Sequence, residues 1–257
     1  MLTPLAALLI LGLFALFATG DGVFTFGGPT GEVHDGVALV DGFVGFLYAD
    51  PAHPHFRELL NSALRFGVLV IFATVVTATA ITSTDEANGI TRLAVAQGQT
   101  QEMLFLSKVV VIVAWTLPLW LLHSAVTFAI VMSRAHRTPT RAELGAWLLL
   151  LAVQYGLLLA LMMVAVAVQL VTRSRIAAIM LPVLLFFGAI IIQVATSGSD
   201  SMLAKALMAV NPMFHLNRIT RYWADPVLLD HALLHVGIGL PLLLALCLLA
   251  LRGRELS

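Results

Sequence analysis

The chain has 257 residues, of which 60% are hydrophobic and only 11% are charged. Soluble domains carry about a quarter charged residues, so this composition excludes an ordinary soluble domain and predicts an integral membrane protein. The 14 basic and 14 acidic residues balance, which argues against a nucleic-acid partner and against a strongly acidic substrate. Cys247 is the only cysteine, which excludes an intramolecular disulfide.

Six runs without Asp, Glu, Lys or Arg predict the membrane spans. Each is long enough to cross about 30 Å of hydrocarbon as a helix that rises about 1.5 Å per residue. They cover residues 2–20, 66–84, 109–133, 144–172, 176–199 and 232–251. Because lipid leaves no water to satisfy an open backbone, we predict an all-α membrane protein, a single transmembrane domain over residues 1–257 with six transmembrane helices. The first run has no basic residue before its apolar part, so we interpret it as a span and not as a cleaved signal peptide.

The connections between these runs differ in length and character. Residues 21–64 are rich in glycine, and their apolar middle, VALVDGFVGFLYA, is predicted to lie in the membrane interface or against the bundle. FRELLNSALRF then predicts a short amphipathic helix before the second span. TRSR predicts a tight hairpin between the fourth and fifth spans, and Asn211-Pro212 is predicted to interrupt a helical segment before the last span.

The stretch NGITRLAVAQGQTQEMLFLSK, residues 88–108, is longer than a simple connection between two spans requires. Ile90 and Leu93 share one face at helical spacing, which predicts a short surface helix. Gly98 suits the left-handed end of that helix, and Thr100 suits the N-cap of the next, with Glu102 in its first turn. From this pattern alone, a helix that lies flat as an interfacial spacer is the alternative.

The residues DEANGITRLAVAQGQTQEMLFLSK resemble the same region in permeases of type-2 ATP-binding-cassette exporters, nearest to those of copper-enzyme maturation or of peptide and drug export. That family has an acidic start, a glycine, an apolar turn, a serine-bearing element and a lysine at the head of the third span. Gly98, Gln101 and Ser107 depart from it, standing where the family has Pro, Arg and Gly. NPMFHLNRI resembles the Asn-Pro element before the family's last span.

The resemblance implies a mechanism. Two permease chains, identical or different, would enclose the substrate pathway in the cytoplasmic membrane, and each would rest on a separate ATPase subunit that binds ATP and magnesium. Residues 85–100 would contain the coupling helix that the ATPase displaces, and the N-terminus would be cytoplasmic. The residues implied in coupling are Asp85, Glu86, Gly89, Arg92, Leu93, Gly98, Thr100 and Lys108.

Other polar residues suggest further sites. Thr77, His123, Gln154 and Gln193 lie within or beside apolar runs and are candidates to line the pathway, with hydrogen bonding between helices as the alternative. Two histidine pairs, His53 with His55 and His231 with His235, have spacings that could bind a metal, although an exposed loop and a span terminus explain them equally well. We predict no metal site and no cofactor on this chain.

Two other function classes compete with a permease subunit. A membrane-embedded enzyme would need a motif such as HExxH or Gly-x-Ser-Gly, and neither occurs. An ATP-independent secondary transporter or channel remains the main alternative, although the spans show no inverted repeat and no acidic residue for ion coupling. The sequence also lacks a GxxxxGK[ST] nucleotide loop, so ATP hydrolysis is expected on a partner and not on this chain. Basic residues do not favour one side of the membrane and leave the orientation open.

Overall fold

The computed structural model describes residues 24–26, 31–34, 37–40, 44–46, 55–135, 137–195, 202–203, 206, 211–223 and 226–255. The predicted span at 2–20 lies outside these residues. Four of the described helical stretches are long and apolar enough to cross a membrane, namely Gln101–Ser133, Arg141–Thr172, Arg175–Ile192 and Leu229–Arg252. They correspond to four of the predicted spans and identify a membrane protein.

The helices of the bundle follow one another with short connections. They are α1 (Phe56–Ala87), α2 (Ile90–Ala96), α3 (Gln101–Arg134), α4 (Arg141–Thr172), α5 (Arg175–Ala195) and α6 (Pro212–Asn217). A 3₁₀ turn, Ile219–Trp223, leads to the last helical stretch, which consists of α7 (Pro226–Leu234), a π turn (His235–Gly239) and α8 (Leu240–Glu255).

Four short strands precede the bundle: β1 (Phe24–Phe26), β2 (Gly31–His34), β3 (Val37–Val40) and β4 (Val44–Phe46). They form two antiparallel pairs, β1 with β4 and β2 with β3. Strands β3 and β4 contact α1, so this apolar segment lies against the bundle, which is one of its two predicted locations. The prediction of an all-α chain holds for the bundle and omits these strands.

Helix α4 is the centre of the bundle. In its most apolar segment, 67% of the residues are buried, whereas the corresponding fraction is 28% in α3 and 11% in the last helical stretch. It contacts α1, α3, α5 and α8, and Leu157, Leu158 and Met162 on it are completely buried. Because lipid is as apolar as these side chains, close packing and hydrogen bonds, and not the exclusion of water, hold such helices together.

Three local predictions can be compared with the structure. FRELLNSALRF is not a separate helix, because α1 runs without a break from Phe56 to Ala87 and includes the predicted run 66–84. Residues 202–203 and 206, described ahead of Asn211, are helical and Asn211 is not, in agreement with the predicted interruption at Asn211-Pro212. Pro212 then occupies the first turn of α6, where its missing N–H costs nothing, and Asn211 caps that turn by accepting a hydrogen bond from the Met213 N–H at 3.0 Å. The hairpin at TRSR is as tight as predicted, with two residues between α4 and α5.

Candidate functional site

Helix α2 is set off from its neighbours by two glycines in the left-handed region. Gly89, at its N-terminus, has φ 72°, and Gly98, just beyond its C-terminus, has φ 86°. Residues other than glycine are strained in that region because of their Cβ atom. There is nevertheless space for a side chain, since a Cβ at either position would meet no atom within 4 Å. The glycines are therefore needed for the backbone turn and not for close packing, as predicted for Gly98.

The start of α3 also follows the prediction. Thr100 is its N-cap, with an extended backbone and a side-chain oxygen that accepts a hydrogen bond from the Met103 N–H at 3.3 Å. Glu102 lies in the first turn, where a negative charge is favoured by the helix dipole. The turn between α2 and α3 is thus defined by Gly98 and Thr100 on its two sides.

An ion pair joins the helices on either side of α2. Asp85, near the end of α1, contacts the ammonium group of Lys108, two turns into α3. Only 24% of the Asp85 side chain and 11% of the Lys108 side chain are exposed, so the pair is shielded from most of the solvent screening that weakens surface pairs. Two residues implied in coupling therefore meet, and together they hold both ends of the α2 segment close to the bundle.

The outer surface of α2 is apolar and unusually open. Ile90 is 48% exposed and Leu93 is 60% exposed, and Arg92 between them is also exposed. The side chain of Glu86, another residue implied in coupling, lies outside the described part. A short helix that is anchored at both ends and leaves its apolar residues uncovered can bind another surface without rearranging its own core.

A second polar constellation lies between α3 and α4. It is a small cleft, lined by Trp120, His123, Ser124, Thr127, Trp147, Leu151 and Gln154. His123 and Gln154 were predicted to line a pathway, and the structure brings them to one place. Thr77 does not line this cleft, and the side chain of Gln193 lies outside the described part.

The other residues of the cleft were not predicted, although the sequence contains the necessary pattern. Residues 120, 123, 124 and 127 recur at the three- and four-residue spacing of one helix face, and 147, 151 and 154 do so on α4. One turn away, the Thr116 hydroxyl contacts the Tyr155 hydroxyl at 3.1 Å and extends the polar contact between the two helices. Helical spacing of polar residues within an apolar run is the signal that could have identified this face.

At the opposite end of the bundle from α2, Glu143 collects several partners. Its carboxylate accepts two hydrogen bonds from Arg137, at 2.7 and 3.0 Å, and one from Arg57 at 3.3 Å. Thr140 donates to it through both N–H and hydroxyl and completes a capping box at the start of α4. The hydrogen bond to Glu143 raises the pKa of Arg137, so this guanidinium stays charged at every working pH.

The histidines pair differently from the prediction. His235, in the π turn, lies against His215 of α6 with ring centroids 4.9 Å apart, while His231 is exposed. The Tyr222 hydroxyl donates to the carbonyl of buried His215 at 3.1 Å, and burial raises the pKa of this phenol. His53 lies outside the described residues. Within the described part, no three His, Cys, Asp or Glu side chains converge as metal ligands.

Comparison with known proteins gives one match. A model of a protein family of unknown function, DUF2705, matches residues 38–221, a range that extends from β3 to the 3₁₀ turn and includes both α2 and the cleft. No curated protein matches the chain, and no solved structure matches it.

Proposed function

The chain belongs to the DUF2705 family, and from the anchored, exposed helix α2 we propose that it is the permease subunit of a type-2 ATP-binding-cassette exporter. In this proposal six helices cross the cytoplasmic membrane: the predicted run at 2–20, α1, α3, α4, α5 and the last helical stretch. Two permease chains form the pathway, and a separate ATPase subunit that binds ATP and magnesium supplies the energy.

The observation that carries the proposal is the way α2 is built. A helix that transmits motion must move as a unit with the spans on either side, and it must present a surface that a partner binds differently in two states. The Asp85–Lys108 ion pair supports the first requirement because it ties α1 and α3 together beside α2. The exposed Ile90 and Leu93, with exposed Arg92 between them, support the second.

Co-purification tests the proposal. The tagged chain is isolated from its native membrane in mild detergent, and the isolate is assayed for a stoichiometric subunit that hydrolyses ATP. We expect Leu93→Asp and Arg92→Glu each to lower recovery of that subunit and its hydrolysis about tenfold, because central contacts of an interface contribute about 1–2 kcal/mol each.

Arg175→Glu is the matched control. Arg175 is also exposed, and it begins α5 at the same end of the bundle as α2 but belongs to a different connection. This variant should retain the ATPase. If the wild-type chain is isolated without an ATPase and still moves a solute across liposomes, the permease proposal is wrong and an ATP-independent secondary transporter or channel replaces it.

A further inference from the structure

We propose that the cleft between α3 and α4 binds the hydroxyl end of a long-chain alcohol that enters it from the bilayer. This inference deepens the proposed function, because it names the class of molecule that the pathway accepts. Binding itself needs no ATPase and can be measured on the chain alone.

Both helices bring buried side chains with polar groups to the cleft. Trp120, His123, Ser124 and Thr127 on α3 are each at most 7% exposed, and Gln154 on α4 is 1% exposed. The two rows face each other within spans that are otherwise Leu-, Val- and Ala-rich. Ionisable and polar side chains inside a membrane are costly and are retained mostly where they serve a function.

The lining selects for a neutral group that can both donate and accept hydrogen bonds. Indole N–H groups only donate, whereas an imidazole, hydroxyls and a carboxamide supply both donors and acceptors. The Ser124 hydroxyl donates to the Trp120 carbonyl at 2.8 Å, which leaves its oxygen able to accept. A hydroxyl group matches such a lining, since it too donates once and accepts twice.

Charged and purely apolar groups fit less well. Neither a carboxylate nor a cationic side chain lines the cleft, so an ionised headgroup would lose its water without gaining a counter-charge. A hydrocarbon end would bury the polar lining without offering it a hydrogen bond. The lining therefore disfavours ionised groups, which lose their hydration, and apolar groups, which leave the lining without hydrogen bonds.

The size and surroundings of the cleft limit what enters. The room inside it admits about one water-sized group, which suits the polar end of a molecule and excludes a whole one. Leu121 and Leu122 beside it on α3 are 58% and 54% exposed, and Leu148 on α4 is 59% exposed. In a membrane these apolar neighbours face lipid, so the polar end enters the cleft while the chain stays among lipid tails.

Photolabelling in nanodiscs tests the inference. Four probes share one alkyl chain with a diazirine near one end, and that end carries a hydroxyl, an ammonium, a carboxylate or a methyl group. We expect the alcohol probe to label residues 120–127 and 147–154 about fivefold more than the methyl probe, as one or two hydrogen bonds would give. Excess unlabelled alcohol should compete for this labelling.

Variants separate binding from stability. His123→Leu and Gln154→Leu should reduce alcohol labelling to the level of the methyl probe, and His123→Asn, which keeps a donor and an acceptor, should retain most of it. Gln169→Leu is the matched control: Gln169 is a second buried glutamine on α4, away from the cleft. With its amide turned over, the nitrogen donates to the Thr79 carbonyl of α1 and the oxygen accepts from the Ser83 N–H. It should leave labelling unchanged.

Several outcomes would overturn the inference. Equal labelling by the alcohol and methyl probes would mean that the cleft holds at most water, and stronger labelling by the ammonium or carboxylate probe would refute the proposed chemistry. Loss of labelling in Gln169→Leu would show that the variants act through the fold. None of these results depends on the ATPase, so the outcome is distinguishable from failure of the proposed function.

Discussion

The two ends of the helical bundle use polar residues in opposite ways. At the end where α4 begins, the buried Glu143 carboxylate binds Arg57, Arg137 and Thr140, and so joins α1, the α3–α4 connection and α4. At the end that carries α2, the Asp85–Lys108 ion pair joins two helices, while Ile90 and Leu93 remain about half exposed or more. One end satisfies its polar groups internally, and the other leaves apolar surface uncovered.

This difference indicates where the chain is complete and where it is not. A carboxylate with several charge-assisted hydrogen bonds gains little from a further partner. An anchored helix with exposed apolar side chains gains from any partner that covers them. The comparison thus favours the α2 end as the place where another subunit binds, and each experiment below tests one side of it.

The largest effect is expected at Glu143. Glu143→Ala should lower the free energy of unfolding by about 3 kcal/mol, because it removes the glutamate half of the capping box of α4 and leaves Arg137 and Arg57 without their shared carboxylate. Glu143→Gln should lose about 1 kcal/mol less, since glutamine can still fill the third position of a capping box. Denaturant titration in detergent measures both.

Glu102→Gln is the control, because the contact of Glu102 with Arg252 is exposed and 3.9 Å long. If this variant loses as much stability as Glu143→Gln, the end of the bundle where α4 begins is not specially stabilised.

The next largest effect tests the packing between the two ends. A Cβ at Gly156 of α4 would lie 2.5 Å from Val236 Cγ1 in the π turn. Valine has little rotamer freedom with which to yield, so Gly156→Ala should cost about 2 kcal/mol by overpacking. Adding Val236→Ala should recover most of this loss in a double-mutant cycle measured by the same titration. Additive losses would mean that the two positions do not touch.

A smaller loss is expected from the ion pair beside α2. Asp85→Ala should cost about 1–2 kcal/mol, because it leaves the mostly buried Lys108 ammonium without its carboxylate. The exchanged pair Asp85→Lys with Lys108→Asp should recover part of the stability and of the ATPase binding. No recovery in the exchanged pair would show that the two residues act separately and that α2 is not held by their contact.

The smallest effects have opposite signs at the two ends. Gly98→Ala should cost about 1 kcal/mol, since φ is 86° there and the added methyl group meets nothing, so backbone strain is the whole effect. Gly145→Ala, in the first turns of α4 with equal space around it, should instead stabilise by up to about 1 kcal/mol through helix propensity. The same thermal unfolding experiment compares both, and equal signs would contradict the left-handed conformation of Gly98.

Features determined by residues close together in the sequence could be predicted, whereas contacts between distant segments could not. Gly98 and Thr100 were predicted correctly because a left-handed turn and an N-cap are determined by a few adjacent residues. The four spans were predicted because membrane crossing requires a continuous apolar run. The strands at 24–46 were missed, although Asp35-Gly36 between Val33-His34 and Val37-Ala38 is a dipeptide that favours a hairpin.

Contacts between residues far apart in the sequence could not be predicted from it. Arg57 and Glu143 are 86 residues apart, and one sequence offers no pattern that pairs them. Asp85 and Lys108 were both named as coupling residues from the family resemblance, yet their contact with each other was not foreseen. His123 and Gln154 were selected as polar residues within apolar runs, but only the packing of α3 on α4 shows that they share a cleft.

The π turn at His235–Gly239 divides the last helical stretch into two halves that present different faces to their surroundings. An α-helix advances about 100° per residue, and a π turn holds about one residue more than an α turn, so the faces before and after it are out of phase by that angle. A single helical wheel drawn through residues 232–251 therefore assigns neighbours wrongly beyond the π turn. The half before the π turn contacts the 3₁₀ turn, and the half after it contacts α3 and α4. One continuous rod thus faces two sets of neighbours, and removing a single residue from the turn would rotate one half away from its set.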